Sequence, residues 1–194
     1  MKKRLTPIIE VAAKGRLPAW GKVSSPRYQH MTRVSSLLGN WAESLGLPLV
    51  DATRWRASGY LHDALREHDP ETLRPEVSDE FKDWPSDILH GPAVAERLRS
   101  NGVEDDELIL AIAYHSVGHP SLNRLGRALY SADFLEPERM FRVDWCESLR
   151  ERMPEELDEV TAEIVTARVN HTIENGLKIY SESIGFQNVL VNNC

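Results

Sequence analysis

Thiol chemistry has little material in this chain. Its 194 residues hold two cysteines, Cys146 and Cys194, which suit neither a disulfide framework nor a thiolate zinc site and fit a reducing, cytoplasmic setting. Long apolar runs are also missing: the longest covers residues 108–114, far short of the roughly 20 residues a membrane helix needs, so no membrane partner is expected. The basic start Met1-Lys2-Lys3-Arg4 is followed by apolar residues that Glu10 and Lys14 interrupt, which does not make a clean secretion signal. Strand-like alternation, internal repeats and low-complexity segments are all but absent. Positive charge is in deficit. Lys and Arg total 23 against 30 Asp and Glu, a net charge of −7, and such a surface repels a nucleic acid polymer. A small phosphorylated substrate remains open to it if local cations draw the ligand in.

What the chain does have is helical periodicity. With 41% hydrophobic residues its length suits one domain with a sizeable core. After a polar, proline-containing lead, Val34, Leu37, Leu38, Trp41 and Leu45 recur at steps of three and four and predict a helix over 27–45, with His30 on the same stripe. Gly46 and Pro48 end it, and Asp51 suits the N-cap of the next helix. Residues 68–85 read as a charged crossover with one short helix around 78–82. Further helices are expected over 85–99, interrupted at Gly91-Pro92, over 105–115, over 121–136, and as one long charged helix over 154–183 that carries His171 in step with its apolar residues. The fold class is all-α, a single-domain bundle of six or more helices.

The helix after Asp51 contains Leu61-His62-Asp63-Ala64. Trp55, Ser58, His62 and Leu65 share its core-facing stripe, with Asp63 about 100° round the axis. Burying a carboxylate beside an imidazole costs several kcal/mol unless a cation or a full set of hydrogen bonds compensates. A lone His-Asp pair is most simply a helix whose Asp63 faces water, but this pair is not alone. His30, His90, His115 and Asp133 also fall on or beside core-facing stripes, and a single core brings those segments together. Mixed imidazole and carboxylate donors suit a divalent ion such as iron, manganese or zinc, held between facing helices. His68, His119 and His171 read as surface or supporting groups.

In that order, His30, His62-Asp63, His90, His115 and Asp133 resemble the signature of the HD-domain superfamily of all-helical, metal-dependent phosphohydrolases. The local words Arg27-Tyr28-Gln29-His30, Leu89-His90-Gly91-Pro92, Tyr114-His115-Ser116-Val117-Gly118-His119 and Ser131-Ala132-Asp133-Phe134-Leu135-Glu136-Pro137-Glu138-Arg139 are similar to the branch that splits diadenosine tetraphosphate symmetrically into two ADP. The resemblance implies a core over 27–140, a lead over 1–26 and a helical extension over 141–194 packed on the core. It implies His30, His62, Asp63 and Asp133 as metal ligands, with His90 and His115 holding a second ion or meeting phosphates. Iron is the first choice of ion, with manganese or another divalent metal as alternatives, one or two per chain. Asp63 and Arg66 are expected to be catalytic, and Arg66, His90, His115, Ser116 and Arg139 to meet the substrate. Arg33 is open to either a phosphate or a supporting acid. Arg66 stands where this branch usually has lysine, and Ser116 where it usually has threonine. Other HD phosphohydrolases acting on mononucleotides, and a non-catalytic nucleotide sensor, are the competing readings. Homodimerisation is left open.

Overall fold

A computed structural model describes residues 5–192; the basic start at 1–4 and Cys194 lie outside the described residues. The helices are α1 (Pro7–Ala12), α2 (Ser25–Ser44), α3 (Leu49–Leu61), α4 (Pro70–Leu73), α5 (His90–Ser100), α6 (Asp106–Ala113), α7 (Arg124–Phe134), α8 (Val143–Glu151), α9 (Leu157–Glu174) and α10 (Ser181–Val191), with three single 3-10 turns between α4 and α5 and no strand among the described residues. The all-α expectation is therefore met. Starts follow local chemistry. The Ser24, Asp69, Asp105 and Asn123 side chains accept from the first free backbone N–H groups of α2, α4, α6 and α7, which have no partner inside their helices.

The helices α2 and α3 form the spine. Gly59 allows their close approach: a Cβ there would lie 2.5 Å from Ser35 Cα, so only a residue without a side chain fits. Helix α7 closes against both, α6 joins α7 to α5, and α9 carries α10 onto the far side. Met31, Val34, Leu38, Leu61, Leu65, Ile112, Leu129 and Ile164 are among the side chains sealed in the shared core.

Several expectations need correction. Helix α3 begins after Pro48, not at Asp51, because the Asp51 carboxylate is taken by Arg54 Nη1 at 2.8 Å. It stops at Leu61, so His62 and Asp63 occupy the turn beyond it instead of the helix body. The stripe misled because that turn keeps the helical sense: Ala64 N–H bonds Leu61 O and Arg66 N–H bonds Asp63 O, each three residues back. The lead contains α1, whose Ile9 and Ala12 are buried. The long C-terminal helix is α9 and α10 with a break at Gly176, which takes the left-handed φ of +61° that glycine adopts at least cost. Helix α8 was not expected. His171, in step with the apolar stripe, is exposed.

Arg54 was also missed. It is 4% exposed and meets Asp105 at 2.5 Å, Glu107 at 2.7 Å and Asp51 at 2.8 Å, tying α3 to the start of α6. Burial alone would lower its pKa, but the bonds to Asp105 and Glu107 outweigh this and raise it. Its partners are partly solvated, so Arg54→Ala should cost roughly 2–3 kcal/mol, below the 3–5 of a wholly buried pair. Urea unfolding should register that loss while metal content stays unchanged.

Candidate metal centre

Five segments deliver one donor or more to a common point. The α2 helix carries His30 nearly two turns after its Ser24 cap; the turn after α3 carries His62 and Asp63; His90 is the first residue of α5; His115 lies just beyond α6; Asp133 sits near the end of α7. All six expected donors are brought together. Asp63 lies between two pairs of histidines. Its Oδ2 is 3.6 Å from Nε2 of both His30 and His62, and its Oδ1 is 3.1 Å from His90 Nε2 and 3.6 Å from His115 Nε2. Asp133 Oδ1 closes the first side, 3.2 Å from His30 Nε2 and 3.8 Å from His62 Nε2.

The imidazoles are oriented from behind. His62 Nδ1–H donates to the Gly59 carbonyl at 2.9 Å and His115 Nδ1–H to the Ile112 carbonyl at 2.8 Å, while His30 Nδ1 faces Glu136 Oε2 at 3.4 Å. These bonds leave Nε2 lone pairs aimed inward, the arrangement that metal-binding histidines need. His30 Nε2 and His62 Nε2 are buried without a hydrogen-bond partner. Two sets, His30 with His62 and Asp133, and His62 with Asp63 and His115, have donor atoms within 4.8 Å of one another. Buried lone pairs with no proton to accept are costly unless an ion takes them, so the residues present fit a divalent metal.

Electrostatics point the same way. Burial pushes the His62 pKa down to about 4 against the attraction of Asp63, and burial likewise lowers His90. Neutral imidazole is the ligand form. For Asp63 burial raises the pKa, yet the neighbouring His62 and the close approach of His115 and His90 outweigh it and hold the carboxyl well below its usual range. Asp133 is likewise held low, by His30 and Arg139 against burial, and Glu136 by Arg33 and the Glu138 N–H. Each of the three carboxylates has its own arginine: Arg27 Nη1 on Asp63 at 2.7 Å, Arg139 Nη2 on Asp133 at 2.5 Å, and Arg33 Nε on Glu136. Arg33 thus bonds an acid that supports His30, the structural one of its two readings.

A pH response follows. His62 titrates near 6.5 when unfolded and near 4 when folded, so between those values the unfolded chain binds more protons. The metal-free protein should therefore lose stability as pH falls from about 6.5 to about 4, by up to about 3 kcal/mol from this residue. Chelator-treated protein melted across that range would read it, and a flat melting temperature would contradict a buried neutral His62.

The remaining expected residues sit at the edge. Ser116 Oγ is 3.1 Å from His115 Nε2, and Arg66 Nη1 donates to the Asp87 carbonyl at 2.5 Å. His68 and His119 lie elsewhere, His119 packed at a tilt against Tyr114 with ring centroids 4.5 Å apart. Sequence reasoning gave no role to Arg27 or Glu136, although Arg27 stands one turn before His30 and Glu136 three residues after Asp133. Arg168 was missed altogether. It donates from α9 to the Ser116 carbonyl at 2.6 Å.

Comparison with known proteins agrees with this geometry. Two curated proteins named "Bis(5'-nucleosyl)-tetraphosphatase, symmetrical" resemble the chain over most of its length: one from Staphylococcus aureus (strain NCTC 8325 / PS 47), 26% identical over 88% of this chain and 90% of its own, and one from Halalkalibacterium halodurans, 23% identical over 85% and 89%. A crystal structure from Clostridium acetobutylicum, described as a "predicted HD superfamily hydrolase involved in NAD metabolism", superposes with a TM-score of 0.78 at 22% identity, covering 94% of this chain and 96% of that one; at that identity it speaks for the fold. Residues 27–164 match the HD domain. With the match spanning most of the chain and all six donors converging on one point, this protein belongs to the HD domain family of metal-dependent hydrolases.

Proposed function

We propose that the protein hydrolyses dinucleoside polyphosphates, and diadenosine tetraphosphate symmetrically to two ADP. The observation that carries this reading is the gathering of four imidazoles and two ionised carboxylates around Asp63, in a chain whose curated relatives bear the name of that activity. His30, His62, Asp63 and Asp133 would hold the ion, with His90 and His115 across Asp63 for a second ion or for substrate phosphates. Iron is the first choice of ion and manganese the next, since imidazole suits iron, carboxylate suits manganese, and no thiolate is present to select a softer metal. When bound, the metal supplies a Lewis acid that withdraws charge from phosphoryl oxygens and acidifies water.

The chain's own groups do the rest. Asp63 keeps its charge in the fold and holds the two histidine pairs in register. Arg66, near His90 and beside the Asp87 carbonyl, stabilises negative charge on the transferring phosphoryl group. Ser116 offers a hydroxyl next to His115, and Arg139, 43% exposed on its side chain, can exchange part of its bond to Asp133 for a phosphate oxygen. Residues 27–140 hold the centre in this reading, with 1–26 as a lead and 141–194 as an extension that walls the substrate cavities.

The metal-loaded protein should convert diadenosine tetraphosphate to ADP alone, separated by anion exchange. AMP with ATP would overturn symmetrical cleavage, turnover of mononucleotides only would favour a different HD phosphohydrolase, and binding without turnover would favour a sensor.

A further inference from the structure

We infer that two separate cavities flanking the centre are the two nucleoside subsites of one bridged substrate, with Arg168 between them. The inference rests on the phosphohydrolase reading above. One cavity, about 1000 Å³, opens from the Asp133 side and runs between the end of α7, α8 and α9. The other, about 420 Å³, opens from the Ser116 side beneath the start of α10. Both fall in the range of about 300–1000 Å³ typical of small-ligand cavities. One edge of each touches the centre: Asp133 itself lines the first, and Ser116, bonded to His115 Nε2, lines the second.

Arg168 and Thr172 line both cavities. The Arg168 guanidinium is pinned from two directions, by its bond to the Ser116 carbonyl and by the Tyr130 ring 4.9 Å beneath it, so a fixed cation belongs to the walls of both spaces. A ligand with negative charge in the middle and a planar apolar group at each end matches this layout. A mononucleotide fills only one end of it.

The ends are built differently. In the larger cavity Phe134 meets Phe141 and Trp145 edge to face at 6.0 and 5.9 Å, and Arg142 lies 4.6 Å over Trp145. Phe141 is 48% exposed although a buried aromatic is worth far more to the fold, and Arg142 holds a left-handed φ of +43° that costs a side-chain-bearing residue of order 1–3 kcal/mol. An exposed ring at the rim offers a face on which a planar base can stack, and backbone strain of this kind clusters at ligand sites. The smaller cavity is walled by Tyr180, with Lys178 5.4 Å from its ring, and by Ile179, 42% exposed.

Equilibrium binding tests this without turnover. Tryptophan fluorescence or calorimetry on the metal-loaded protein would compare ADP, inorganic tripolyphosphate and a methylene-bridged, non-hydrolysable diadenosine tetraphosphate. The bridged ligand should bind at least about tenfold tighter than ADP, as stacking of a second base provides. Phe141→Ala and, in the other cavity, Tyr180→Ala should each weaken the bridged ligand about tenfold and leave tripolyphosphate unchanged. Because Tyr180 packs against Trp84, Ile179→Glu serves as a second variant there, with the same expected loss. A bridged ligand no tighter than ADP, or one insensitive to the variants of either cavity, would overturn the two-subsite assignment while ADP binding left the proposed function intact. Wild-type protein that bound neither nucleotide would sink that function first.

Discussion

Replacing Asp63 with alanine is expected to remove bound metal and hydrolysis together. Asp63 is the one group of the six that faces both histidine pairs, with its two oxygens 3.1 to 3.6 Å from four Nε2 atoms. Partners that merely orient a ligand are worth 10- to 100-fold in metal affinity, so the ligand itself should cost more than about 100-fold. The Lewis-acid contribution of several kcal/mol goes with it, a rate loss of about 10³-fold or more. Asp63→Asn separates charge from shape. It keeps a group of the same size against Arg27 and the imidazoles but cannot supply an anionic donor, so it should fold normally and still lose the metal. Elemental analysis after dialysis, beside product formation from diadenosine tetraphosphate, makes the measurement. An alanine variant with full metal content and activity would sink the assignment of the centre.

Arg66→Ala should leave the metal bound and lower kcat/KM by about 10² to 10³, the equivalent of about 2 to 4 kcal/mol of transition-state stabilisation. A protein with net charge −7 does not attract a polyphosphate by its overall field, so local cations carry that task. Arg27, Arg33 and Arg139 are each committed to a carboxylate. Among the described residues Arg66 is held by a backbone carbonyl alone, and a carbonyl carries no net charge to cancel its own. With burial and the His115 imidazole, and against the opposing pull of Asp63, the Arg66 charge contributes to keeping His90 neutral. Losing one exposed hydrogen bond to a carbonyl costs about 1 kcal/mol, a shift of a few degrees in Tm. A large kinetic loss with a small melting shift therefore identifies a phosphate-binding role, and Arg66→Lys should recover part of the rate because the point charge remains. Unchanged kinetics in the alanine variant would remove Arg66 from the site.

The sequence by itself determined the fold class and singled out the six side chains that the structure brings together. Apolar residues at steps of three and four mark most core helices whatever their neighbours, since that period follows from the helix alone, and the cost of burying His62, Asp63 and Asp133 beside apolar residues marks them as a set. Boundaries and partners were another matter. The turn at His62 and Asp63 keeps helical spacing, so periodicity alone does not reveal where α3 stops. The short α8 was not foreseen, and the break at Gly176 was passed over although a glycine is the local signal for it. Only the tertiary structure decided which arginine neutralises which carboxylate, because Arg27 with Asp63, Arg33 with Glu136 and Arg54 with Asp105 are pairings across 36, 103 and 51 residues. Charge attraction selects among partners by distance in space, and the chain order carries no record of that distance. Arg168 stands for the same limit: one cation on a charged helix in sequence, it lines two cavities once α9 lies against the loop of Ser116.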